Sequence, residues 1–182
     1  MIRLPLALLM LIAALWLIPH AERDPVIHVL VQIPLLVGIG VAGAWGFQNS
    51  RDRYSLLIVA LFTLAFWMLP RSIDAALGSL WVDGAKFITL PLLAGVPFTL
   101  CWSSLTPMLR GFLKANALSM LGVLGFLYIH APVRICNSYL VSDQERLGYG
   151  FLYLAAGLII LWGWPLLFGA LPAERLIKRG FS

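Results

Sequence analysis

Charge is what this sequence has least of. Only 12% of its 182 residues are charged, where a soluble domain carries about 25%, and the shortfall excludes the water-soluble enzyme classes. Cysteine is nearly absent, with Cys101 and Cys136 alone, too few for a disulfide framework. No basic cluster or RNA-type aromatic platform accompanies the net charge of +5, so nucleic acid is not expected as a partner. Gly-rich nucleotide loops, H-E-x-x-H and G-x-S-x-G are all missing. The chain is therefore not expected to be an enzyme.

Apolar residues fill the space. They make up 61% of the chain, against about 45–50% in soluble domains, and the mean hydropathy is +0.92. This composition predicts an all-α, polytopic membrane helix bundle. Five segments approach the roughly 20 apolar residues that cross a bilayer: Val26–Phe47, Ser55–Leu69, Phe87–Leu105, Gly111–Ala131 and Tyr149–Leu171. The second is short and is read as continuing into "PRSIDAAL" as a bent or interfacial helix. A further run, Leu4 to Pro19, follows Arg3 and ends in "LIPHAER". Residues 1–21 are read as a signal peptide or a sixth, first-placed transmembrane helix, and 22–182 as one helical domain.

Loop charge sets the expected sidedness. With Arg3 inside and the spans alternating, the inner side receives Arg3, Arg51, Arg53, Arg110, Lys114, Arg175, Lys178 and Arg179. The outer side receives Arg23, Arg71, Lys86, Arg134 and Arg146. Basic residues collect on cytoplasmic loops, so eight against five turns the richer loops outward; a bacterial inner membrane, with those loops toward a periplasm, is the expected location. Tryptophans near the span ends fit an aromatic belt.

Three outer segments hold the uncommon residues. In "HAERDPVIHVLVQIP", Asp24 and Pro25 read as the N-cap and first position of a helix. Asp24, His28 and Gln32 are four apart and share a helical face, and Pro34 is placed to kink the helix. In "FWMLPRSIDAALGSLWVDGAK", Arg71 and Asp74 are spaced to pair on one turn, and Asp83-Gly84 reads as a turn. In "HAPVRICNSYLVSDQERLG", Ala131-Pro132 should end the preceding span. Ser142 and Glu145 have the capping-box spacing that would start the last helix, Arg134 is read as an ion-pair partner of Asp143, and Gln144 as a first-turn residue with no special role.

Four residues on this side form a candidate metal set: His28, Met68, His130 and Cys136. Imidazole, thioether and thiolate suit copper, and the sulfur ligands suit Cu(I) above all. His28 lies about one turn inside its span, where an ionisable residue is a functional candidate. Two of them also have a plain structural reading, Met68 as lipid-facing or core packing and Cys136 as a small buried hydrophobe. Cys101 lies toward the inner end of its span and is not expected to meet Cys136.

Two stretches carry a family resemblance. "SDQERLGYGFLYLAAGLIILWGWPLLFG", Ser142–Gly169, resembles the DQ-x-x-G start of a late helix in the CtaG-like assembly factors of bacterial cytochrome c oxidase, with the glycine one place later at Gly148. "DPVIHVLVQIPLLVGIG", Asp24–Gly40, resembles their His-bearing helix followed by a Pro-containing apolar run. His28, Asp143 and Gln144 match residue by residue. The family's second histidine, four residues away, is replaced by Asp24 and Gln32, and the methionine after its DQ pair is absent. The resemblance implies a polytopic fold and a part in oxidase assembly linked to copper delivery.

The sequence therefore predicts an assembly or maturation factor for a respiratory cytochrome c oxidase, handling copper at the periplasmic face through these four residues. The lipid bilayer and a membrane protein of the respiratory chain are its expected partners. Two alternatives remain open: a haem- or quinone-binding anchor using His28 and His130, and a ligand-free accessory subunit.

Overall fold

Prolines decide where the helices of this protein bend. The structure, a computed structural model, describes residues 3–44, 53–131 and 139–168, and these are helical with no strand. Helix α1 (Arg3–Trp16) is followed by the short α2 (Ile18–Ala21). The next helix opens with a π-helical segment, Ile27–Gln32, and continues as α3 (Ile33–Ala44). Then come α4 (Arg53–Met68), α5 (Pro70–Gly78) and α6 (Leu80–Thr89). A second π segment, Leu90–Gly95, leads into α7 (Val96–Trp102), and the long helices α8 (Pro107–His130) and α9 (Val141–Phe168) complete the described chain.

The two π segments have one cause. Each ends two residues before a proline, Pro34 in the first case and Pro97 in the second. Proline offers no N–H, and its ring collides with the carbonyl four residues back. Widening the helix by one residue relieves that collision. The residue before each proline accordingly donates five back, Ile33 to the His28 carbonyl and Val96 to the Pro91 carbonyl.

Four helices are long and apolar enough to cross a membrane: Ile27–Ala44, Leu80–Trp102, Pro107–His130 and Val141–Trp164. A fifth span is completed if Tyr54–Met68 and Pro70–Gly78 count as one, bent by 69°. This is a multi-pass membrane protein, and the bend at Leu69 matches the broken second segment expected from sequence. Pro5–Trp16 is apolar but shorter than a span. It packs along α3, with Ala14 fully buried.

Two sequence readings need correction here. Asp83-Gly84 is not a turn: α6 runs through it, starting after an extended Ser79, and continues into the second π segment and α7. The third span therefore begins at Leu80 rather than Phe87, which moves Lys86 from a loop into a span. The last helix begins at Val141, so Ser142 lies inside its first turn and is not its cap.

Glycines allow two close helix contacts. A Cβ on Gly40 would lie 2.1 Å from the Pro91 carbonyl oxygen, and one on Gly95 would lie 2.3 Å from the Val37 oxygen. Here α3 crosses the second π segment backbone to backbone. Between α8 and α9, Gly125 and Gly148 meet in the same way, each Cβ position 3.0 Å from the other residue's carbonyl oxygen. Close approach of small residues drives association in lipid, where no hydrophobic force operates between helices.

Candidate functional site

The polar centre of the molecule is built around Lys86. The α6 helix carries its side chain inward until only 1% is exposed. The ammonium has three N–H bonds and no acceptor, and three acceptors surround it. Asp83 Oδ1 lies 2.6 Å away on the same helix. Gln32 Oε1 lies at 3.0 Å and His28 Nε2 at 3.2 Å, both from the first π segment.

The protonation pattern follows from these partners. An ammonium can only donate, so Nε2 of His28 must accept and the ring proton is assigned to Nδ1. Nδ1 lies 3.3 Å from the Tyr139 hydroxyl, which itself donates to the Ala21 carbonyl at 2.7 Å. A directed chain results: Lys86 donates to His28, His28 to Tyr139, and Tyr139 to Ala21. Gln32 uses its amide on α1, donating to the Ala14 carbonyl at 3.4 Å. Among the described residues no buried side-chain polar atom is left without a partner.

This chain joins the three outer segments. His28 and Gln32 come from the first, Asp83 and Lys86 from the second, and Tyr139 from the third. Further contacts support the junction. Asp24 caps its helix through the Val26 N–H at 2.9 Å, as expected, and also meets Arg146 of α9 at 3.2 Å. Arg146 lies 3.7 Å from Asp143 as well; Arg134, the partner expected for Asp143, lies outside the described residues. Gln144 is buried and donates to the Tyr128 carbonyl at 3.3 Å, tying α9 to α8. It therefore has a structural role that its first-turn position did not reveal. Beneath the polar layer, Val29, Ile73, Tyr128, Tyr139, Leu147 and Phe151 form an apolar cluster.

A pocket of about 170 Å³ opens beside Lys86, with Glu22, His28, Gln32, Ser79 and Asp83 on its walls. Its acidic groups outnumber its one cation, and the cation is already surrounded by acceptors. The pocket suits a neutral polar group or a hydrogen-bond donor better than an anion.

The four predicted metal ligands are distributed unevenly. His28 is buried at the centre of the network, with both ring nitrogens engaged. Met68 sits at the end of α4, packed against the apolar cluster below His28 and against a second cluster around Leu90. His130 is on the exposed side of α8, its ring stacked on Phe126 at 4.2 Å and its Nδ1 3.0 Å from the Phe126 carbonyl. Cys136 lies outside the described residues. Among the described residues, no three His, Cys, Asp or Glu side chains form a group that could hold a metal. Cys101 is fully buried in a separate cluster with Leu57 and Leu105, its thiol donating to the Phe98 carbonyl at 3.4 Å.

Lys86 and Tyr139 are the members of this network that sequence reasoning missed. Tyr139 gave no local signal. For Lys86 a signal existed: read as part of a span that starts at Leu80, it is an intramembrane cation with Asp83 one turn before it.

No protein-family model, curated protein or solved structure matches this chain.

Proposed function

We propose that this protein is an assembly or accessory factor for a respiratory oxidase of a bacterial inner membrane, working by holding a partner at its periplasmic rim. The observation that carries this reading is the convergence of three distant segments on Lys86. Their polar groups are consumed in holding one another, which makes a rigid platform rather than a set of free catalytic groups. Leu80 lines the pocket and Trp81 follows it in the chain, each 90% exposed, and the two supply the apolar anchor of the kind interfaces use. The resemblance of Asp24–Gly40 and Ser142–Gly169 to oxidase assembly factors supports the partner class.

The geometry favours the version of this reading without metal. Nε2 of His28 faces an ammonium, so a copper ion would have to displace Lys86 before reaching the ring. The test combines two measurements on the full-length protein. Tagged protein crosslinked in its own membranes is expected to capture an oxidase subunit, and Trp81→Gln with Leu80→Gln to lose it. Cu(I) titration of the purified protein is expected to show no stoichiometric site that depends on His28. Copper bound in stoichiometric amount, and lost in both His28→Ala and Cys136→Ala, would return the mechanism to copper hand-over. Absence of any oxidase subunit from the crosslinked material would remove the partner assignment.

A further inference from the structure

The pocket beside Lys86 holds more acceptors than the network uses. Its floor is formed by His28, Gln32 and Lys86, each 1% exposed, and these three are engaged with one another and with Asp83. Two features of its walls are left over. Glu22, the exposed residue that ends α2, enters no ion pair or side-chain hydrogen bond among the described residues. Helix α5 ends at Gly78, where the chain passes into an extended Ser79. The carbonyls of its last turn accept no further backbone hydrogen bond among the described residues, and Ala76, Leu77 and Gly78 lie on the pocket wall.

Charge gives the sign of the group that would fit. His28 accepts from an ammonium and is therefore neutral, so the pocket carries the carboxylates of Glu22 and Asp83 against the single cation of Lys86. A carboxylate and the negative end of a helix both favour a positive group, and open carbonyls need a hydrogen-bond donor. One further ammonium, which only donates, meets both needs and balances the charge.

Shape narrows the class. A volume of about 170 Å³ is below the roughly 300–1,000 Å³ of sites for whole small molecules, but it admits a side chain. Ile18, Leu77 and Leu80 add apolar wall, with Leu80 at the mouth, 90% exposed. Lysine combines an apolar stem with a charged tip and matches that lining. A phosphoethanolamine headgroup matches it less well, because its phosphate would follow the ammonium toward Glu22 and Asp83 while Lys86 is already engaged.

We infer that the pocket receives a lysine side chain of the partner protein, its ammonium held by Glu22, Asp83 and the end of α5, and its stem lying against Ile18, Leu77 and Leu80. This rests on the reading of the rim as a partner-holding surface. It names the chemistry of recognition there, one inserted cation beside the apolar contact at Leu80 and Trp81.

Two crosslinks on full-length protein in its own membranes test it. Capture of an oxidase subunit by the tagged protein reads the rim. A carbodiimide, which joins a carboxylate directly to an amine with loss of water, reads the pocket. Peptide mass analysis is expected to find Glu22 or Asp83 amide-linked to a lysine of the captured subunit, and the Glu22 link to vanish in Glu22→Gln. Capture should fall at least about tenfold in Glu22→Gln and in Glu22→Lys, the loss of one charge-assisted hydrogen bond. Both variants should unfold at the wild-type temperature, since Glu22 is exposed and holds no other described residue. Glu145→Gln, an exposed acid of α9 outside the pocket, should capture as the wild type does. Full capture with no amide link at Glu22 or Asp83 would overturn the pocket inference and leave the partner reading standing. Capture of no oxidase subunit would remove both. A link from Glu22 to an ethanolamine lipid, or equal losses in Glu22→Gln and Glu145→Gln, would also overturn the inference.

Discussion

Nζ of Lys86 stands 3.2 Å from Nε2 of His28, 58 residues away in the chain, and each residue is only 1% exposed. The contact ties the second outer segment to the first inside the membrane. It also decides what His28 can do, because one ring nitrogen faces a cation and the other a tyrosine hydroxyl. A histidine held in this way is a structural hub before it is a metal ligand.

Removing the hub should be costly. Lys86→Met keeps most of the side-chain volume but leaves Asp83, Gln32 and His28 without their shared donor. Breaking a buried ion pair by deleting one partner costs about 3–5 kcal/mol, and a loss near 3 kcal/mol is expected from denaturant unfolding in micelles. Asp83→Asn added to Lys86→Met should recover part of that loss, since it removes the orphaned carboxylate. A single variant as stable as the wild type would contradict the role given to Lys86.

Tyr139 closes the hydrogen-bond chain. Tyr139→Phe removes the donor to the Ala21 carbonyl and the acceptor for His28, and should destabilise by about 1–2 kcal/mol. Combined with His28→Leu in a double-mutant cycle, it should show a coupling of at least about 0.5 kcal/mol. Strict additivity would mean that the two side chains do not communicate.

The Gly40 crossing admits no side chain. Gly40→Ala would set a methyl group 2.1 Å from a backbone oxygen that cannot move aside alone. Overpacking usually costs about 1–3 kcal/mol, and this case should reach the top of that range or prevent assembly. Gly43→Ala, three residues along the same helix with open space around it, should change thermal stability little. Equal tolerance at the two positions would argue against the close approach of α3 and the second π segment.

The ion pair between Arg146 and Asp24 should matter least. Arg146 is 62% exposed, and exposed pairs contribute about 0–1 kcal/mol and weaken with salt. Arg146→Ala should shift the unfolding midpoint only slightly at low salt and not at all at high salt. A large, salt-independent loss would show that this contact holds the rim together.

Much of the fold was legible because the bilayer simplifies it. Lipid requires every backbone group to be paired within the segment, so long apolar runs predict helices, and the broken second segment followed from the shortness of the run Ser55–Leu69. Boundaries were less legible at Asp83-Gly84 and at Ser142. Local residue types there favour a turn and a cap, but helix and packing continue through both. The error at Asp83-Gly84 had a consequence, since it left Lys86 in a loop and hid the buried cation.

The sequence by itself determined the helical class, the positions of most spans and the Asp24 cap, because these depend on composition and on residues close together in the chain. Tertiary structure alone decided that His28, Lys86 and Tyr139 form one chain of donors, and that Gly40 meets Gly95 and Gly125 meets Gly148. A contact between residues dozens of positions apart leaves no periodicity to read. It exists only once helices widened before Pro34 and Pro97 have packed and set the polar groups of three segments within hydrogen-bond reach.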